Sequence, residues 1–326
     1  MSAPAFDRKL PGLSRALDNG EMLSLLSAAL RRESKPVLLS QVCSELLKYV
    51  PGKRGVVAYH LSSPHAEWHD RRIFGKLYRK DRGQTIFQTL RTLWQTAERQ
   101  RSEFAMPEPL AYVAELGMVL QDAAPGRALA NLCHPDDLFA AMQRAAKNLA
   151  SLHGLPTAVG EAKVFQDHLH KYCHPGPDAL AEAHPELAPL VRDLIATMHA
   201  DESLRRAEAC PVHGDLNLAQ IFITAEGAVF IDFDGFCRSH AALDVGNFLV
   251  TLNAHFGERS GELRHGFLEA YLAATPTHTL PGLRTYQAFA YLRRAMIAFR
   301  LQNAVERLAP VRKLLEAGLA LMHAKE

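Results

Sequence analysis

Hydrophobic and polar positions change rhythm along the chain. Residues 21–32 place Leu23, Leu25, Leu26 and Leu30 at helical spacing, whereas residues 37–80 turn to Val- and Ile-rich runs separated by turns. Residues 55–61 (GVVAYHL) and 72–78 (RIFGKLY) predict a strand pair, joined by a surface turn over 62–70 that carries Pro64. From Thr85 the period returns to 3.6, with Ile86, Leu90, Leu93 and Trp94 forming a stripe that would pack on this sheet. Residues 112–121 predict one further strand, ended by the Asp122-Ala-Ala-Pro125-Gly126 turn. Beyond it the spacing predicts helices over 136–153, 185–200 and 286–323. The exception is 221–233, two short apolar runs around Glu226-Gly227, which predicts a hairpin. A sheet-rich part followed by a larger helical part predicts two lobes with a cleft between them, the joint lying near 122–129. The domains expected are thus 1–121 and 122–326, with a small ligand in the cleft.

Composition narrows the classes. At 326 residues and 48% hydrophobic the chain can build a substantial core, which excludes disorder for most of it. Lys plus Arg number 37 against 35 Asp plus Glu, too even for a protein that coats nucleic acid or an anionic membrane, so neither is an expected partner. The longest apolar stretch, near 110–120, contains Glu115 and falls short of the roughly 18 residues a membrane span needs. The start, MSAPAFDRKLPG, lacks a basic segment leading into an apolar one, and a cytoplasmic location is expected. Cys43, Cys133, Cys173, Cys210 and Cys237 are odd in number and show no CxxC, which predicts reduced thiols. His168, His170, Cys173 and His174 are ligand types for zinc, but no second cluster completes a four-ligand set, and a polar helix beside the substrate is the expectation.

The chemistry concentrates in residues 213–232, HGDLNLAQIFITAEGAVFID. A turn carrying His213 and Asp215 precedes the predicted hairpin, whose second strand ends at Asp232, so the fold-back would bring the two carboxylates together. Two carboxylates with the amide of Gln220 can accept a hydroxyl proton and hold a divalent cation through hard oxygens. Phosphoryl transfer needs those elements and little covalent chemistry from the protein.

His213-Gly214-Asp215-Leu216 with a carboxamide at Gln220 resembles the HGD-x-x-x-x-N catalytic loop of aminoglycoside phosphotransferase and choline kinase-like enzymes, relatives of the protein kinases. Ile231-Asp232-Phe233-Asp234-Gly235 is similar to that family's I-D-F metal-binding segment, and Ala242-Leu243-Asp244-Val245-Gly246 to the D-P-A-x-D-L that follows it. Leu149-Ala150-Ser151-Leu152-His153 looks like the family's helix before the loop, and residues 118–129 resemble its strand, hinge and P-G turn. The resemblance spans residues 40–250.

It implies an α+β, bilobal protein-kinase-like fold, with a small sheet-plus-helix N-lobe and a larger, mostly helical C-lobe. It implies an ATP-dependent, or GTP-dependent, small-molecule kinase using Mg²⁺ and a small-molecule hydroxyl acceptor. Residues 1–121 would be the nucleotide-binding lobe and 122–326 the catalytic and acceptor-binding lobe. Asp215 would be the catalytic base, Asp232 and Gln220 the metal ligands, and His213 and Asp244 supports of the loop. Lys76 would contact the nucleotide phosphates, and Gln121, Asp122, Ala123 and Ala124 would line the adenine site.

The chain departs from the pattern at three places. Gln220 stands where the family has Asn; the turn from Tyr49 to Arg54 has one glycine and two cations instead of a glycine-rich phosphate loop; and an acidic partner for Lys76 is not evident, since Gln84 and Gln88 occupy the early turns of the next helix and Glu98 lies late. These departures motivate an alternative, a catalytically weak or inactive pseudokinase that binds a nucleotide or a protein. Arg284, Arg293, Arg294, Arg300, Arg307 and Arg312 mark the last helices; as solvated or snorkelling cations they need no function, while any that line an acceptor pocket would suit a neutral or anionic hydroxyl compound better than a polycationic one.

Overall fold

The computed structural model describes residues 7–32, 35–79, 82–132, 134–276, 279–301 and 308–324. The chain forms two compact units, Met1–Arg101 with Ala105–Pro125, and Ser102–Phe104 with Gly126–Glu326.

The first unit is built on a five-stranded antiparallel sheet of β3 (Gln41–Val50), β4 (Arg54–Ser62), β5 (Arg71–Tyr78), β6 (Pro109–Val113) and β7 (Met118–Asp122), in the order β3-β4-β5-β7-β6. Alternation along the strands sends Val57, Tyr59, Leu61, Ile73, Leu77, Met118 and Leu120 to one face. There they bury against α1 (Leu13–Ala16) and α2 (Asn19–Ala29) through Leu13, Ala16, Met22 and Leu26. Asp18 starts α2 by accepting the Glu21 amide at 2.8 Å. A two-residue ladder of β1 (Arg31–Arg32) and β2 (Lys35–Pro36) leads into the sheet. Gly75 is small of necessity, because a Cβ there would strike the Met118 sulfur and the Tyr59 ring. Tyr59 is fully buried and donates its hydroxyl to the Ala16 carbonyl at 2.8 Å. The helix after the sheet hairpin, α3 (Arg82–Gln100), buries Leu90, Leu93 and Ala97, while Ile86 and Trp94 stay partly exposed.

One expected element divides in two. Residues 112–121 are not a single strand but the end of β6, a short helical turn at Ala114–Leu116, and β7. Gly117 takes φ +61°, a left-handed conformation open chiefly to glycine, and reverses the chain between two apolar runs that look continuous in sequence.

The second unit carries two small antiparallel sheets among helices. β8 (Arg127–Ala128), β10 (Ile221–Ile223) and β11 (Ala228–Phe230) form one in the order β11-β10-β8; β9 (Ala209–Val212) and β12 (Cys237–His240) form the other. Gly126, at φ +90°, lets β8 reach β10, since a Cβ would collide with the Ile223 carbonyl. The helices are α4 (Pro135–His153), α5 (Phe165–Tyr172), α6 (Pro177–Ala183), α7 (Ala188–His199), α8 (Ala242–Phe256), α9 (Ser260–Ala273), α10 (Leu283–Leu301) and α11 (Leu308–His323). Leu169, Leu194, Phe289, Leu292 and Leu315 bring α5, α7, α10 and α11 into one core. The stripe over 286–323 therefore belongs to two helices packed on each other, α10 and α11, since a 3.6 period reads alike for one helix or two. The α+β class, with a sheet-bearing N-terminal part and a mostly helical C-terminal part, is as the chain's patterning foretold. Among the described residues no helix is long and apolar enough to cross a membrane. Cys43, Cys173, Cys210 and Cys237 are free thiols, and Cys133 lies outside the described residues, as does Arg307.

Candidate active site

In the second unit the chain leaves β9 directly into His213-Gly214-Asp215. The Asp244 carboxylate, fully buried in the first turn of α8, accepts the amides of His213 (2.6 Å) and Gly214 (2.8 Å). His153, at the end of α4, lies 3.2 Å from the same carboxylate through Nε2 and 2.7 Å from the Tyr271 hydroxyl through Nδ1. Burial by itself would raise the Asp244 carboxyl pKa. The hydrogen bond and charge of His153, the charge of His213 and the Gly214 amide outweigh it, so the group is held below the ordinary carboxylate range. The His213 ring is buried beside Phe233, its centroid 4.6 Å away, and donates Nε2–H to the Ile231 carbonyl at 2.9 Å.

That bond ties the 213–215 loop to the segment after β11. A second tie is steric: Gly214 sits at φ +80°, and any Cβ on it would run into the Gly235 carbonyl. Backbones meet here at a separation only glycine permits, which draws the Asp215 loop against the turn that begins with Asp232. Asp232 itself has φ +68° and ψ +57°, a left-handed conformation that costs a non-glycine residue about 1 kcal/mol or more and is typical of functional turns.

Asp215 is partly exposed and receives a 2.6 Å hydrogen-bonded ion pair from Nη2 of Arg293 on α10. The Arg293 guanidinium lies 4.5 Å from the centroid of the Tyr172 ring, and the Tyr172 hydroxyl donates to the Gly214 carbonyl at 2.7 Å. Burial, reinforced by the Asp215 charge, pushes the Tyr172 phenol pKa upward and keeps it neutral. Lys171 Nζ reaches the same hydroxyl at 2.9 Å. Gln220 is buried, and its Oε1 accepts the Asn217 amide at 3.0 Å, closing a capping turn in which Asn217 Oδ1 accepts from Ala219 at 3.0 Å. Asn247 secures the loop further by donating to the Leu216 carbonyl at 2.8 Å.

The remaining sequence candidates lie in the first unit. Lys76 pairs in register with Val56 and Val119 and shares its sheet face with Phe74, Tyr78 and Gln121; its Nζ is 5.5 Å from the Tyr78 ring centroid. Asp122 ends β7 in a two-pronged pair with Arg71, at 3.1 and 2.6 Å, and also accepts the Ala123 amide at 2.9 Å. Its own amide donates to the Glu108 carbonyl at 2.9 Å, and Ala123 and Ala124 follow, partly exposed. In the Tyr49 to Arg54 turn, the Gly52 amide (2.7 Å) and Tyr49 hydroxyl (2.8 Å) both donate to the Asp7 carboxylate.

The histidine and cysteine cluster is not assembled. His168 and Cys173 point into the core, His170 and His174 are exposed, and no group of three or more His, Cys, Asp or Glu among the described residues is placed to hold a metal. Three neighbours of the loop have no individual place in the site from sequence alone: Arg293, one of several last-helix arginines that either stay solvated or line an acceptor pocket, Tyr172, and His153, marked only as the end of the helix before the loop. Each meets the loop across a long sequence separation, and only the juxtaposition of two charges with a motif could have hinted at them.

No curated protein matches the chain by sequence. Among solved structures, the Plasmodium vivax ethanolamine kinase is similar at 13% identity and a TM-score of 0.55, covering 85% of this chain and 82% of its own. Choline kinase from Cryptosporidium parvum is similar at 12% identity and TM-score 0.60, with coverages of 86% and 88%. An amicoumacin kinase in complex with AMP-PNP, Ca²⁺ and Ami is similar at 11% identity and TM-score 0.61, with coverages of 84% and 87%. At these identities the likeness is one of fold. The sequence profile of the phosphotransferase enzyme family (APH) matches residues 64–289, a stretch that contains the clamped loop, the hairpin and Asp244. Since that match spans well over half of the chain, the protein belongs to the APH phosphotransferase enzyme family.

Proposed function

We propose that the protein transfers the γ-phosphate of ATP to a hydroxyl group of a small molecule. The observation that carries this reading is the double clamp on the 213–215 loop: Asp244 holds its amides, and contact at Gly214 and Gly235 sets Asp215 beside the Asp232 turn. In the transfer the acceptor oxygen forms a bond to the γ-phosphorus, the bond from phosphorus to the β,γ-bridging oxygen breaks, and ADP leaves with that electron pair. The acceptor proton passes to Asp215. With Oδ1 engaged by Arg293, Oδ2 is the oxygen left to take it. Catalysis is positional and electrostatic, from a loop whose geometry is set before substrate arrives.

The donor set fits a divalent cation. Asp232 offers carboxylate oxygens, and Gln220 Oε1 retains a second lone pair beyond the one used by Asn217, so these two residues would hold Mg²⁺. When bound, the ion would neutralise charge on the transferring phosphates. Lys76 would align those phosphates, Gln121 to Ala124 would contact the adenine, and 1–121 and 122–326 would divide into nucleotide-binding and catalytic parts. AMP-PNP in the amicoumacin kinase complex supports an adenine nucleotide.

Thermal unfolding with ATP or GTP, each with and without Mg²⁺, tests nucleotide use: a hundredfold excess over Kd stabilises by about 2.7 kcal/mol. Asp215→Asn is expected to keep the Mg·ATP shift and lose ADP production by 10³-fold or more; an unchanged rate removes Asp215 from the reaction. A second reading, a weak or inactive relative that only binds, draws on the engaged Gln220 carbonyl and the Asp215–Arg293 pair. Acceptor-dependent ADP release by the unaltered protein overturns it.

A further inference from the structure

We infer that the acceptor carries an anionic group, a carboxylate or a phosphate, and that Arg293 is the residue that reads it. This rests on the phosphotransfer reading above, because it takes Asp215 as the base. A guanidinium has five N–H donors in a planar fork matched to two oxygens of one anion. Among the described residues Arg293 makes one hydrogen bond, from Nη2 to Asp215 Oδ1 at 2.6 Å. The Arg293 side chain keeps 18% of its surface exposed, so part of the fork stays open to solvent.

The fork is also oriented in advance. Tyr172 lies against the guanidinium at 4.5 Å, and the ring is pinned by its hydroxyl to the Gly214 carbonyl at 2.7 Å, on the residue before the base. An anion on Arg293 therefore sits one side chain away from the carboxylate that takes the hydroxyl proton. Lys171 adds a second cation, 2.9 Å from the Tyr172 hydroxyl. An ammonium acceptor would meet the Arg293 guanidinium here, and the carboxylate that could have bound it already faces that guanidinium. The arrangement discriminates by charge, favouring hydroxy acids or hydroxy phosphates over amino alcohols.

Four compounds with comparable hydroxyls separate the alternatives: glycerate, glycerol 3-phosphate, glycerol and choline. ADP release from Mg·ATP is measured for the full-length protein, Arg293→Gln and Arg293→Lys. The expected result is a kcat/KM for one of the two anions at least tenfold above glycerol and choline, the better anion distinguishing carboxylate from phosphate. In Arg293→Gln the ratio of that anion to glycerol falls at least tenfold, through KM; Arg293→Lys recovers part of it, since charge returns without the fork. Using a ratio cancels any general damage to Asp215. Choline or glycerol as the best acceptor, or an unchanged ratio in Arg293→Gln, overturns the inference and leaves phosphotransfer standing. If none of the four is turned over, sulfate against sodium chloride of equal ionic strength is the probe in thermal unfolding. Sulfate protection that is lost in Arg293→Gln carries the anion site, and equal or absent protection overturns it. The Mg·ATP shift on the same samples reports separately whether the kinase reading has failed.

Discussion

Replacing Asp244 by Asn keeps the volume and removes the charge. The wild-type carboxylate, itself without solvent exposure, accepts two backbone amides, from His213 and Gly214, and faces the buried His153. Asn can accept one amide through its oxygen, but its NH₂ must then confront the other amide or His153, leaving a buried donor unmatched. An unsatisfied buried donor costs about 1–3 kcal/mol, and loss of a hydrogen bond to a charged acceptor about 1.5–3 kcal/mol, so about 3 kcal/mol, near the lower end of their sum, is expected. For a unit of this size that is a fall in Tm of roughly 6–12 °C. The same carboxylate gives the fold an acid dependence with a definite sign. Its pKa is lower folded than unfolded, so its stabilising contribution is complete above the ordinary carboxylate pKa near 4 and is lost as pH falls below that value. Urea unfolding of wild type and Asp244→Asn at pH 7 and pH 3.5 measures both effects. The gap between the proteins should be about 3 kcal/mol at pH 7 and should narrow in acid. A variant within 1 kcal/mol of wild type at pH 7, or a gap constant with pH, would refute the assignment of Asp244 as the charged clamp of the loop.

Further outcomes follow from the same geometry. Gly214→Ala combines an unfavourable φ of +80° with a collision against the Gly235 carbonyl, so it should lower Tm and reduce turnover by at least tenfold even where folding survives; wild-type kinetics would show that the two backbones need not touch. His168 donates through Nε2 to Ser239 at 2.8 Å, while its Nδ1 is buried without a partner among the described residues. Burial, aided by Lys171 and Lys163, pushes its pKa down to about 4, so the unfolded chain takes up a proton near pH 6.5 that the folded chain refuses. Stability should therefore fall between pH 6.5 and 4, by up to about 3 kcal/mol. Asn or Gln at this position should flatten that slope, as read from urea midpoints across the window, and an identical slope in His168→Gln would assign it to other groups.

How legible the protein was depends on the range of the interactions concerned. The β4 and β5 pair, the β10 and β11 hairpin and the amphipathic α3 and α4 follow from periodicity and turn residues, which act over a few positions. The reversal at Gly117 was not legible, because one glycine between apolar runs marks a turn only once both runs have strand partners. The division of 286–323 into α10 and α11 was hidden for a related reason: both helices bury their stripes on the same core.

The candidate site divides along the same line. Sequence alone determined the chemistry available: a His-Gly-Asp turn before a hairpin, a second carboxylate at its end and a third in the following helix, in the order that its family shares. Only tertiary structure decided how those groups are held and what faces them. Arg293 meets Asp215 across 78 residues, and His153 meets Asp244 across 91. Such pairs leave no local pattern, since which arginine of α10 turns toward the loop depends on how that helix packs in the core and on Tyr172 beneath it. Backbone conformation is encoded nearby in the chain, whereas the environment of a charge is made by whatever the fold brings to it.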